Sequence, residues 1–339
     1  MCSIMEASLN LNRTNLVFIL LLAIMVLISC KASTTTPEPE AEVVYGCMDY
    51  NSISYDSTAT EDDGSCQYLG CTDSTSANFD PLANVDNGNC LDPSDIPAGW
   101  TLMWNDEFNG DSIDTGKWNH EEWWPGYVNN ELQSYTKNPE NSGVANGHLY
   151  LSARKENPFD PNNPAYNSAR MNTARKVDWK YGRVEVRAKL PRGQGLWPAI
   201  WMMPTYSVYG GWPVSGEIDI MELLGHDNSR TYGTIHYGNH YPDKRSSGTS
   251  YVLPSGNFSD SFHTFAFEWE EHEMRWYVDD VLFQTLSSWF TIGGDYPAPF
   301  DQEFHLILNV AVGGEWPGNP DDTTLFPQTM LVDYVRLFQ

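Results

Sequence analysis

From Gly99 to Gln339 the chain is a succession of short runs in which apolar and polar residues alternate, broken by Gly, Pro or Asn. The clearest runs are Leu149 to Ala153, Tyr181 to Leu190, Phe262 to Trp269, Met274 to Val278, Phe304 to Val312 and Met330 to Phe338. Successive side chains on a strand point to opposite faces, so period 2 buries one face and leaves the other for solvent or ligand. No long stretch carries a helical period. The pattern predicts an all-β fold, an antiparallel sandwich or barrel, and a span of about 240 residues suits one such domain.

Within this pattern, Gly216-Glu217-Ile218-Asp219-Ile220-Met221-Glu222 holds three carboxylates among β-branched and apolar residues. Acidic groups are costly in hydrophobic, strand-forming sequence. Glu217 and Asp219 share a face, but Glu222 lies an odd number of residues from both and would point away on a regular strand. One extra residue near Ile220-Met221, a β-bulge, returns Glu222 to their side. Three carboxylates then line one wall, as glycoside hydrolysis by two working carboxyls requires. The competing readings are a solvent-facing acidic strand and a hard-metal site. The tryptophan-rich segment Leu196 to Trp201 argues against the first, and no His at ligand spacing inside the motif argues against the second.

Composition narrows the substrate. The formal net charge of −26 excludes a nucleic-acid partner and disfavours a polyanionic sugar, leaving a neutral polysaccharide. Thirteen tryptophans and 18 tyrosines exceed what a core needs, and flat amphipathic rings suit sugar stacking.

Ahead of the β region, Leu16 to Ile28 is an apolar run of signal-peptide length after Arg13. It ends Leu27-Ile28-Ser29-Cys30, which resembles a bacterial lipobox with Cys30 as the lipid-bearing residue. Residues 1–30 are therefore expected to be a lipoprotein signal peptide. The protein would be exported, as a cell-surface or outer-membrane lipoprotein or a secreted form, touching membrane only through the lipid. Residues 31–45 read as a flexible Ser/Thr/Pro/Glu tether. Residues 46–90 hold two 24-residue repeats: Gly46-Cys47-Met48-Asp49 matches Gly70-Cys71-Thr72-Asp73, and Asp63-Gly64-Ser65-Cys66 matches Asn87-Gly88-Asn89-Cys90. In an exported chain four regularly spaced cysteines imply disulfides, and repeat symmetry favours Cys47–Cys66 with Cys71–Cys90. The Asp/Asn clusters suggest calcium ligands, but neither copy has a complete EF-hand loop, so a spacer whose acids make turns is preferred. Residues 91–98 read as a second linker before a domain at 99–339.

The acidic motif resembles the signature of glycoside hydrolase family 16 in its bulged form, which typifies laminarinases and agarases, whereas lichenases lack the extra residue. Trp104-Asn105-Asp106-Glu107-Phe108, Asn130-Glu131-Leu132-Gln133, Tyr181 to Ala188, Gly233-Thr234-Ile235-His236 and Val332 to Arg336 carry the same resemblance. Val208-Tyr209-Gly210-Gly211-Trp212-Pro213 looks like endo-1,3-β-glucanases in particular. The resemblance implies a concanavalin A-like β-jelly roll with a concave catalytic cleft, preceded here by disulfide-stapled repeats. It makes Glu217 the nucleophile, Glu222 the acid/base and Asp219 the residue that tunes them. Trp197, Trp201, Trp212, Trp316, His236, Asn130 and Arg170 are its candidate sugar contacts. Core packing for a tryptophan of the Trp197/Trp201 pair and an ion pair for Arg170 are the competing roles. It further implies no cofactor for catalysis and a structural calcium at Glu107, Gly147 and Asp333, against the alternative that Asp333 pairs with Arg336.

The expected protein is a monomeric, retaining endo-1,3-β-glucanase acting on laminarin or mixed-linkage glucan. An agarase or other galactan hydrolase, a non-catalytic glucan-binding protein and an adhesin acting through the repeats are the alternatives.

Overall fold

The computed structural model describes residues 42–156 and 166–339. The expected signal peptide, Cys30 and most of the tether lie outside them. Among the described residues no helix is long and apolar enough to cross a membrane. The described residues divide into two compact units between Cys66 and Gln67, so the division falls between the two repeats.

Each repeat closes its own disulfide, Cys47–Cys66 in the first unit and Cys71–Cys90 in the second. Each also closes a two-residue parallel ladder, Tyr45–Gly46 with Glu61–Asp62 and Leu69–Gly70 with Val85–Asp86. The acids serve turns. Asp49 accepts from the Asn51 amide at 2.9 Å, Asp56 from Thr58 at 2.8 Å and Asp63 from Ser65 at 2.9 Å. Asp73, Asp80 and Asn87 do the same in the second copy. Hydrogen bonds from Thr58 and Ser65 hold the Asp56 and Asp63 carboxyls below their ordinary range, as expected for turn-capping carboxylates. The 91–98 stretch is ordered: Leu91 is buried, and Asp92 caps a 3-10 turn at Pro93–Asp95.

Beyond the repeats, seventeen strands lie among the described residues of the large unit, numbered here from β1: β1 (Leu102–Asp106), β2 (Asn119–His120), β3 (Gln133–Tyr135), β4 (Ser142–Ala145), β5 (His148–Lys155), β6 (Tyr166–Ser168), β7 (Arg170–Asn172), β8 (Gly182–Lys189) and β9 (Leu196–Pro204). They continue with β10 (Glu217–Leu223), β11 (Arg230–Gly238), β12 (Lys244–Val252), β13 (His263–Trp269), β14 (Met274–Val278), β15 (Val281–Leu286), β16 (Phe304–Val312) and β17 (Gln328–Phe338). A ten-stranded sheet runs β15-β14-β13-β8-β17-β5-β6-β3, with β1 also on β17 and β4 on β5. A seven-stranded sheet runs β12-β11-β10-β9-β16-β7-β2. This is the jelly-roll sandwich that the alternating runs anticipate. Thr101 and Gln339 exchange backbone hydrogen bonds at 2.8 and 2.9 Å, tying the domain's ends together.

Alternation sorts the side chains of the seven-stranded sheet. On β16, Phe304, Leu306, Leu308, Val310 and Val312 enter the core, while Asn309 and Ala311 face the cleft. On β9, Leu196, Ile200 and Met202 go inward, and Trp197, Ala199, Trp201 and Met203 outward. Phe265, Phe267, Trp269 and Trp276 meet the inward set from the opposite sheet. The outward set is the floor of the site.

Candidate active site

β10 carries the expected bulge. Asp219 pairs with Thr234 and Glu222 with Tyr232 on β11, so Ile220 and Met221 together oppose Gly233. Both bulged residues are buried, and Glu217, Asp219 and Glu222 all line the same cleft of about 690 Å³. Gly233 leaves room for an indole: a Cβ there would lie 2.6 Å from Trp276 Cδ1. That indole crosses from β14 and donates from Nε1 to the Asp219 carbonyl at 2.9 Å.

Two indoles hold the outer carboxylates. Trp197 Nε1 donates to Glu222 Oε1 at 2.9 Å, and Trp212 Nε1 donates to Glu217 Oε2. Asp219 is 2% exposed, and its Oδ2 makes no hydrogen bond, although His236 Nε2 lies 3.3 Å away. Burial, then the neighbouring Asp219 charge, pushes Glu217 up to about 7, against His236, Trp212 and Lys244. Burial pushes Asp219 up to about 7 too, with Glu217 hydrogen bonding and Lys244 opposing. Glu222 is raised well above its ordinary value, first by burial and then by Asp219 and Glu217. Like charges crowded in a desolvated wall cannot all ionise, and Glu222 is the carboxyl that keeps its proton. That is the property of the acid, whereas the carboxylate that ionises first is free to attack.

The cleft walls are aromatic. Trp197 and Trp316 meet edge to face at 5.4 Å between centroids, and Tyr232 meets Trp316 at 5.1 Å. Trp316 and Trp212 are each 41% exposed, which leaves their faces open to a sugar ring. Trp201 donates to Asn309 Oδ1 at 2.7 Å and forms floor. Arg170 lies between two rings, its guanidinium 4.1 Å from the Trp123 centroid and 4.6 Å from that of Trp201, and it pairs with Glu121. Its buried guanidinium makes the ion pair with Glu121 and also lines the cleft. Asn130 is not among the cleft-lining residues; its amide donates to Glu315 at 2.8 Å, while Asn129 and Glu131 line the cleft.

Sequence reasoning missed Trp123, Glu131, Asn309 and Lys244 as cleft residues. Alternation along β16 was signal enough for Asn309. Lys244 had none, because it opens the polar edge strand Lys-Arg-Ser-Ser-Gly-Thr-Ser.

Two places gather oxygen and nitrogen donors of the kind a metal takes. Glu217, Asp219 and His236 bring one donor atom each within 4.8 Å of one another, although the sequence motif alone contained no His. Lys244 Nζ sits 3.2 Å from His236 Nδ1, and an ammonium beside the triad disfavours a dication there. At the expected calcium position, Arg336 donates to both Glu107 oxygens at 2.9 and 3.0 Å. Asp333 faces Arg187 and His148 rather than Arg336. The Glu107 side chain therefore does not fit a cation, and the Asp333 carboxylate is itself paired with Arg187 and His148.

An open cleft across one face of a jelly roll, floored by a bulged three-carboxylate strand and walled by indoles, defines a glycosidase that works on polysaccharide chains. The chain belongs to glycosyl hydrolase family 16, whose profile matches residues 128–336. It is 44% identical over 262 residues to glucan endo-1,3-beta-glucosidase A1 of Niallia circulans, covering 71% of this chain but 38% of that longer protein. It is 42% identical to the beta-glucanase of Rhodothermus marinus, covering 73% of this chain and 88% of the relative. The catalytic domain of an endo-1,3-beta-glucanase (laminarinase) from Thermotoga petrophila RKU-1 superposes with a TM-score of 0.63 at 46% identity, over 71% of this chain and 98% of that one.

Proposed function

We infer that this chain is a retaining endo-1,3-β-glucanase that cleaves laminarin-type β-glucan. The observation that carries this reading is the bulge that sets Glu217, Asp219 and Glu222 on one wall of an open, tryptophan-lined cleft. In the first step a Glu217 oxygen bonds to the anomeric carbon as the glycosidic C–O bond breaks, and the Glu222 proton passes to the departing oxygen. In the second, Glu222 takes a proton from water, the water oxygen bonds to the anomeric carbon, and Glu217 is released. Two inversions leave the product β-configured. Asp219 contributes charge: beside the two glutamates, it raises both.

The relatives' names support 1,3-glucan as substrate, and the open cleft supports attack within a chain. Activity on mixed 1,3-1,4-glucan is part of the same proposal. The test is reducing-sugar release by purified protein on laminarin, lichenan, agarose and carrageenan, with NMR of the first anomer. Laminarin cleaved fastest with β product first is the expected result; preference for agarose, or an initial α anomer, sinks it.

Export as a lipoprotein through Cys30 and a monomeric state complete the proposal, supported by the lipobox-like sequence and by a substrate too large to enter a cell. Palmitate labelling lost in Cys30→Ala tests the first, and sedimentation the second. A calcium on the Glu107 and Gly147 carbonyls and Asp333 is proposed as structural only. A Tm unchanged between EDTA and millimolar calcium would remove it.

A further inference from the structure

Lys244 stands at the start of the edge strand β12, inside the cleft, where it touches both polar neighbours of the carboxylate that attacks. Its Nζ is 3.2 Å from His236 Nδ1 and 4.8 Å from the centroid of the Trp212 ring. Trp212 donates to Glu217, and His236 Nε2 lies 3.3 Å from Asp219 Oδ2 and 3.9 Å from Glu217 Oε1. An ammonium has only donors to offer, so the His236 nitrogen facing it must be the acceptor. The ring proton of a neutral imidazole then has one place left, Nε2, on the side of the carboxylates.

We propose that Lys244 is a positioning residue for glycoside cleavage: by donating to His236 Nδ1 it fixes the ring tautomer that turns Nε2–H toward Asp219 and Glu217. The Asp219 oxygen that this proton faces is buried and makes no hydrogen bond, and catalytic hydrogen bonds without substrate are commonly long and tighten on binding. The Lys244 ammonium also stacks on Trp212, which orients the indole that holds Glu217. Its charge pulls both Glu217 and Asp219 downward, against burial. The other ionisable groups lining the cleft on this side are Glu222 on β10 and His236 on β11, with Glu131 on the loop before β3; the β9 neighbours Trp197 and Trp201 carry no charge. Across the cleft, Arg170 is neutralised by Glu121. Lys244 is thus a cation placed beside the nucleophile's neighbours His236 and Trp212, where it favours the ionised nucleophile.

The reading rests on glycoside hydrolysis at this site, and the experiment separates the two. Long-range 1H–15N spectra of histidine-labelled wild-type protein, with His236 assigned through His236→Gln, report the tautomer without any turnover. The expected state is Nε2–H in wild type, with a mixed or Nδ1–H ring in Lys244→Met. In kcat/KM profiles on laminarin, Lys244→Met should move the acidic limb up by about one pH unit, roughly tenfold in rate on that side, and leave the alkaline limb in place. Lys244→Arg should restore most of that shift. A wild-type ring protonated on Nδ1, or a Lys244→Met profile merely scaled down at every pH, overturns the proposal. If Lys244→Met does not fold, the wild-type tautomer and the Lys244→Arg profile still decide. Lack of laminarin hydrolysis by wild type would count against the glucanase reading alone.

Discussion

The Trp276 indole donates across the sandwich to the carbonyl oxygen of Asp219, 2.9 Å away, at the residue where β10 leaves regular pairing. A bulge frees backbone groups from the ladder, and a buried carbonyl left without a donor costs about 1–3 kcal/mol. Trp276 thus satisfies the group that the bulge exposes, and Gly233 opposite gives the ring its space. Trp276→Phe should keep the fold, lower stability by about 1–3 kcal/mol and reduce kcat at least tenfold as Glu222 loses its register. Gly233→Ala should do worse, since its Cβ meets the ring at 2.6 Å. Urea unfolding and laminarin turnover measure both; a Trp276→Phe enzyme with wild-type kcat would show that the bulge holds itself.

The roles of the two glutamates separate under azide. In Glu217→Ala the acid remains, and azide fills the vacated space to attack from the nucleophile's face, giving an α-glycosyl azide from an activated aryl β-glucoside. In Glu222→Ala the nucleophile remains, the glycosyl-enzyme forms with a good leaving group, and azide releases it as the β-glycosyl azide. Both variants should lose at least about a thousandfold on laminarin without azide. Opposite azide stereochemistry would interchange the assignments.

How far the sequence carried this picture depends on which forces wrote each element. Met274–Val278 was legible to the residue because one face is packed and the other is not, and Phe304–Val312 because it is apolar nearly throughout and buried on both faces. The bulge was legible because three acids cannot share a wall without it. The edge strand Lys244–Val252 was not, since it is polar along most of its length and its pairing with β11 is set by backbone bonds. Motif position likewise could not reveal that Asn130 bonds Glu315 and that Arg170, which lines the cleft, pairs with Glu121. The calcium set likewise gave no hint that Arg336 takes both oxygens of Glu107.

Arg170 should behave as part of the cleft's foundation. A guanidinium stacked between Trp123 and Trp201 and paired with Glu121 is 6% exposed, and lysine reproduces neither the stack nor the planar fork. Arg170→Lys is expected to cost about 2–4 kcal/mol and to raise KM through a loosened Trp201. Denaturant unfolding with paired kcat and KM values tests this. Unchanged stability with a raised KM would instead mark Arg170 as a direct sugar ligand.

The catalytic wall should also weaken the fold at alkaline pH. Glu217 rises from 4.5 in the unfolded chain to about 7 in the folded one, so the native state holds a proton that the unfolded state has released between those values. Stability attributable to this group therefore falls as pH rises from about 4.5 to 7, and the loss is complete above that window. Glu217→Gln removes the buried charge but keeps an oxygen for the Trp212 indole. It should stabilise the protein at pH 8 by on the order of 1–3 kcal/mol, a few degrees in Tm. At pH 4, where both states carry the proton, the gain should vanish. Calorimetry of both proteins at the two pH values decides, and an equal gain at pH 4 and 8 would mean that packing, not ionisation, separates them.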